Sequence, residues 1–173
     1  MQTFNPVYME DTLKESNYLE VTSMIRAAAK NFSGKAKESP IWEDSAFNLT
    51  KNVVIYCAAV YGYFTLTDCY KTMLKADSDE ITENLKALLL KKKMNGTIDF
   101  HDDEEKFNIA CAVQYFTEYC LFEDKFKSGV LVTATTFLNQ FQDYNAAKMF
   151  CPTKVNLTIK SMDEIVDKGK VLL

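Results

Sequence analysis

The sequence predicts a mainly α protein, a compact bundle of about six to eight helices with short strands at the chain ends. Three observations carry this. Apolar residues recur at helical spacing through successive stretches, as in Val21, Met24, Ala28 and Phe32. Only five Gly and three Pro stand among 173 residues, so little interrupts the helices or builds linkers. The stretch SPIWEDSAFNLTKNVVIYCAAVYGYF, Ser39 to Phe64, opens on a helix start signal and ends in twelve uncharged residues, Val53 to Phe64. Hydrophobic content of 47% and charged content of 25% suit one ordinary globular domain. Residues 1–152 form the all-α part, and residues 153–173 form a strand–helix–strand segment.

The first helix is predicted from Asn17, which with Glu20 makes a capping box, to Ser33-Gly34. Ser39 then offers an N-cap, Pro40 fits the first helical position, and Glu43 and Asp44 complement the positive end of the dipole. Trp42, Ala46, Leu49 and Val53 keep one apolar stripe, and the helix then becomes apolar all round up to Gly62. A membrane span needs about 20 apolar residues. The run is shorter and Lys51 stands just before it, so the sequence predicts a buried helix end in a bundle core. Trp42, Leu49, Val53 and Tyr56 are expected inside.

Thr67 is the predicted cap of a short helix carrying Cys69, Tyr70, Met73 and Leu74. Asp77 or Ser78 caps the next, with Ile81, Leu85, Leu88 and Leu89 as its apolar face and Asn95-Gly96 as its stop. The carboxylates Asp102, Asp103, Glu104 and Glu105 precede a helix through Phe107, Ala110, Val113, Phe116 and Cys120. Gly129 opens a helix with Leu131, Ala134, Phe137, Leu138 and Phe141, and Asp143 caps a last short one. Beyond Pro152, Val155 to Ile159 alternates like a strand, Met162 to Asp167 suits a helix, and Gly169 to Leu173 is a hydrophobic strand with no partner left in the sequence. An excised piece of a larger α/β protein is the expectation.

The net charge of −4 argues against non-specific nucleic-acid binding over the whole surface. Arg26 is the only arginine, so bidentate recognition of phosphate or guanine is nearly absent. The charge is uneven: residues 101–150 hold eight acidic and four basic side chains, residues 51–100 six acidic and seven basic. The five cysteines are widely spaced without a CxxC pair and read as reduced structural thiols. No signal-peptide pattern opens MQTFNPVYMED, and the chain reads as cytoplasmic.

No catalytic residue and no metal set is assigned. His101 beside Asp102 lacks an identifiable nucleophile, the acidic run lacks the order and glycine of an EF-hand, and GxxxxGK[ST], GxGxxG and HExxH are missing. An enzyme is not expected. Two candidate surfaces remain. Lys86, Lys91, Lys92 and Lys93 are the candidate nucleic-acid contact, although lysines at a helix C-terminus are favoured by the dipole alone. Asp102, Asp103, Glu104 and Glu105 are the candidate contact for a basic protein partner.

Two stretches in order resemble a family. FNP at Phe4 to Pro6, followed by ESPIWEDSAFNLTKNVVIY from Glu38 to Tyr56, resembles the "NP … (D/E)PFW..A...L..ALILY" pattern of type IV coupling proteins. FLNQFQDYNAAKMF, Phe137 to Phe150, and LTIKSMDEIVDKGKVLL, Leu157 to Leu173, are similar to that family's return from its helical insertion. These are the TraG/TraD-like ATPases of bacterial conjugation and type IV secretion. The resemblance implies an all-α substrate-recognition domain at the cytoplasmic mouth of a DNA pump, with the terminal strands as remnants of an adjoining RecA-like α/β domain. It also implies ATP and Mg in the full-length parent but no cofactor in this fragment, because the Walker motifs lie outside it. The implied partners are a relaxosome, an accessory or effector protein, or DNA, together with the rest of the coupling protein. A hexamer belongs to the full-length parent only, and the domain belongs to an inner-membrane-associated protein without touching the membrane itself. The alternative is a stand-alone helical adaptor, a protein-interaction domain.

Overall fold

A computed structural model of the chain describes residues 3–9, 11–33, 40–94 and 103–158. Its order is α1 (Glu15–Ser33), α2 (Pro40–Tyr61), α3 (Leu66–Met73), α4 (Asp79–Met94), α5 (Glu104–Cys120), α6 (Asp124–Thr135) and α7 (Tyr144–Phe150). Two 3-10 segments, Leu138–Gln142 and Lys154–Asn156, flank α7.

Every other long element is laid against α2, which packs on α1, α3, α4, α5 and α6. The reason is visible in its sequence. Residues 52–58 are buried all round, and Leu49, Val53, Val54 and Cys57 are fully enclosed. A helix apolar on every side can only be covered by neighbours on every side. Each enclosed Val or Leu contributes about 1.5–3 kcal/mol of transfer free energy, which fixes α2 as the axis. Among the described residues, no single helix is long and apolar enough to cross a membrane. Only α2 and α3 taken together pass such a test, and they are bent by 112°.

The observed bounds depart from the expected ones in instructive places. Helix α1 begins at Glu15, so Asn17 lies in its first turn and donates its side-chain amide back to the Asp11 carbonyl at 3.1 Å. Thr65, not Thr67, caps α3, in a reciprocal capping box with Asp68. Gly129 does not open α6 but sits inside it. A Cβ placed there would come within 2.6 Å of the Trp42 ring, so the glycine is what allows α2 and α6 to approach. Leu49, Val53 and Tyr56 are buried as expected, whereas Trp42 is only half-buried over Gly129 and Phe126.

The expected strands at the chain ends are corrected. Among the described residues there is no β-strand, and Phe4 makes only an isolated bridge. Residues Lys154–Asn156 turn into a 3-10 segment, and Val155, whose alternation suggested a strand, is 93% exposed. Among the described residues no partner strand receives that alternation, so strand remnants of a RecA-like α/β domain are no part of the described fold. The expected helix Met162 to Asp167 and strand Gly169 to Leu173 lie outside the described residues, as does the Asn95-Gly96 stop.

Candidate functional site

The two charged runs lie at opposite ends of the α4–α5 connection. Helix α4 packs along α5 and presents its Lys86 and Lys91 to solvent while its Ile81 and Leu85 face inward. Five residues of α-helix place two side chains about 140° apart around the axis and about 7.5 Å along it. Lys86 and Lys91 are therefore exposed on different sides of α4 and do not form one patch. The backbone of Lys92 and Lys93 completes the last turn of α4, and their side chains lie outside the described set.

Two residues of the acidic run, Asp103 and Glu104, are turned to structural use. Asp103 is the N-cap of α5, accepting the Lys106 amide at 3.2 Å and pairing with the Lys106 ammonium at 2.7 Å. Glu104 reaches across to α1, where its carboxylate accepts the Glu15 amide at 2.6 Å. That bond supplies the long-range cap for a helix whose start the local sequence misplaces. Glu105 is half-buried, while Asp102 and His101 lie outside the described residues. Glu104 itself is exposed, and beneath it the joint between α1 and α5 is polar and buried at Tyr18 and Asn108. The buried Asn108 donates to the Leu13 carbonyl at 2.9 Å and meets the Tyr18 hydroxyl at 3.5 Å. Burial, reinforced by Glu15, Cys111 and Glu104, pushes the Tyr18 phenol up to about 12, so it stays a protonated donor.

The single arginine is spoken for. Arg26 pairs with Asp44 at 3.0 Å and Glu43 at 3.7 Å, and its guanidinium lies 5.0 Å above the Phe47 ring. Lys30 joins Glu43 at 2.8 Å, so the group ties α1 to the first turns of α2. Cys57 and Cys69 are fully buried thiols, with Cys57 Sγ 3.4 Å from Thr72 Oγ1. The hydrogen bond with Cys57, followed by burial, raises the Cys69 thiol well above its ordinary value. Both behave as small core groups. Among the described residues, no group of three His, Cys, Asp or Glu is placed to hold a metal ion.

A different basic surface emerges that no local run announces. Lys71 and Lys154 line one cleft of about 410 Å³, beside Asp68 and Tyr63. Lys148, Tyr144 and Val155 line a second of about 680 Å³. The two share Ala147, Cys151, Pro152 and Thr153, and Lys71 also lines a third cleft of about 330 Å³ with Tyr61, Leu74 and Lys75. The floor is braced by the Tyr63 hydroxyl, which donates to the Pro152 carbonyl at 2.8 Å, and by Asn5, whose amide donates to the Phe64 carbonyl at 2.7 Å. These lysines come from α3, α7 and the segment after α7. Only the tertiary fold assembles them.

Compared with known proteins, the chain matches no family model, no curated protein and no solved structure.

Proposed function

We propose that the chain is the all-α substrate-recognition domain of a TraG/TraD-like coupling protein and that it binds a protein partner of the transfer machinery rather than reading DNA. The reading rests on the ordered resemblance of FNP, Pro40-Ile41-Trp42 and the Phe137 to Phe150 stretch. One structural observation supports it above the others. The two ends of the described fold leave side by side. The Thr3 amide donates to Thr158 Oγ1 at 2.6 Å, Thr158 Oγ1 donates to the Thr3 carbonyl at 2.9 Å, and the Phe4 amide donates to the Met149 carbonyl at 3.0 Å. A domain inserted into another must enter and leave at neighbouring points.

A protein partner is favoured because the only arginine is engaged within the bundle and Lys86 and Lys91 point to different sides. The domain itself is not an enzyme in this reading, and ATP with Mg belongs to the parent's motor. The helical fold of the described residues offers no strand–loop–helix phosphate site. The stand-alone adaptor keeps one observation of its own, the 3-10 turn at Lys154–Asn156 where the return segment was expected to run as a strand.

Binding of the purified chain to a relaxase–DNA complex and to the separate relaxase, encoded in the same genome, tests the reading. Retention of the relaxase with and without DNA is expected. Retention that requires DNA would shift the assignment to nucleic acid, and no retention of either would leave the adaptor.

A further inference from the structure

We propose that the connected clefts along α3 and α7 form a binding groove for an extended acidic peptide with interspersed apolar side chains. The inference goes beyond the coupling-protein reading and stands or falls without it. The groove contrasts with the rest of an acidic molecule. Lys71, Lys148 and Lys154 are exposed along it, and none of the three forms an ion pair among the described residues. The carboxylates that line it among the described residues are already engaged. Asp68 accepts the Thr65 amide and hydroxyl, each at 2.8 Å, and Glu80 pairs with Lys75 at 3.4 Å. Asp68 keeps its charge, yet Lys71, Lys75, Lys148 and Lys154 outnumber Asp68 and Glu80 along the lining, so the groove is net positive where the chain as a whole carries −4.

The occupant follows from charge spacing and lining. A nucleic-acid strand brings one charge per nucleotide and is met by dense cations and stacking surfaces. Here the lysines are sparse point charges without arginine, and the walls between them are mainly apolar. Tyr144 is 74% exposed, Val155 is 93% exposed, and Leu74 and Tyr61 stand half out at the far end. Spaced cations alternating with apolar surface complement a peptide in which carboxylates alternate with aliphatic or aromatic residues. The Thr153 hydroxyl at the rim adds a hydrogen-bond partner for an extended backbone.

The test uses fluorescence anisotropy with a labelled peptide of about ten residues alternating Glu or Asp with Leu or Phe, long enough when extended to span about 33 Å. Two companion probes are its Gln/Asn counterpart and a labelled oligo-dT. The acidic peptide is expected to bind, to weaken with salt, and to lose about tenfold or more in affinity when Lys71, Lys148 and Lys154 are changed to Glu. Lys86→Glu with Lys91→Glu, on α4, is expected to leave its affinity unchanged. All five lysines are exposed or peripheral, and circular dichroism establishes that each variant is folded. The proposal is overturned by absence of binding at low salt, by equal binding of the Gln/Asn peptide, by indifference to the three groove substitutions, or by oligo-dT binding tighter at the same lysines.

Discussion

Gly129 and Trp42 occupy neighbouring volume from two helices, and that contact sets what the position tolerates. In an exposed helix, Gly→Ala stabilises by about 0.5–1 kcal/mol. Here the added methyl meets ring carbons of Trp42 at 2.6 and 2.8 Å, so Gly129→Ala is expected to destabilise by about 1–3 kcal/mol despite the better propensity. Thermal melts of Gly129→Ala alone and together with Trp42→Leu check this, because relieving the ring is expected to restore part of the loss. Val53 is fully enclosed in α2, and Val53→Asp is expected to abolish the cooperative melt, since an unpaired buried charge costs several kcal/mol. Glu43 shows how a surface group couples to pH. The hydrogen bond from Lys30, with help from Arg26, holds its carboxyl below the ordinary 4.5. A lowered folded value stabilises the fold above the ordinary carboxylate range and loses that contribution as pH falls through the folded value. Glu43→Gln is therefore expected to melt lower at neutral pH, and the gap from the parent is expected to close as pH falls below 4.5. A gap that stays constant down to acid pH would assign Glu43 no part in the α1–α2 tie.

At the scale of elements, what the sequence shows is what local chemistry decides. Pro40 at the first helical position and Gly62 at φ +68° delimit α2 almost to the residue. Asp143 caps α7 as its position predicts, accepting the Asn145 and Ala146 amides at 2.9 and 3.3 Å. Asp143→Ala is expected to cost about 1 kcal/mol and Asp143→Asn much less, measured by denaturant unfolding. Features that depend on distant partners were not legible. The start of α1 is capped by Glu104 from α5, so the nearby Asn17–Glu20 pattern pointed to the wrong residue. Gly129 looked like a helix opener because Trp42, its reason for being glycine, lies far away in sequence. Val155 alternated like a strand, yet alternation makes a strand only where a partner edge and a covering layer exist. The candidate surfaces divide the same way. The lysine and carboxylate runs were visible as runs, and helical spacing already separates Lys86 from Lys91, but the use of Asp103 and Glu104 as caps appears only in the folded chain.

For the described fold as a whole, the closeness of Thr3 and Thr158, where it begins and ends, is the property with the clearest consequence. Thr3 and Thr158 hold each other by backbone and hydroxyl hydrogen bonds, and the Tyr63–Pro152 bond seats the segment leading to them. The axis of the bundle, α2, packs chiefly on α1, α3, α4, α5 and α6, so most of its burial comes from helices other than α7 and the segment after it. An adaptor and an inserted domain would both fold around that core, but only closed ends let the chain interrupt a host without prising it apart. Residues 3–158 placed in a surface loop of a stable carrier protein are therefore expected to give two independent cooperative melts, with the carrier's transition shifted by no more than a few degrees. Thr3→Val with Thr158→Val removes the hydroxyl bonds and keeps the shape. The fused domain's own transition is then expected to fall while the carrier's holds. A carrier that unfolds when the parent domain is inserted would show that the ends part in solution, and the structural support for an inserted recognition domain would go with them.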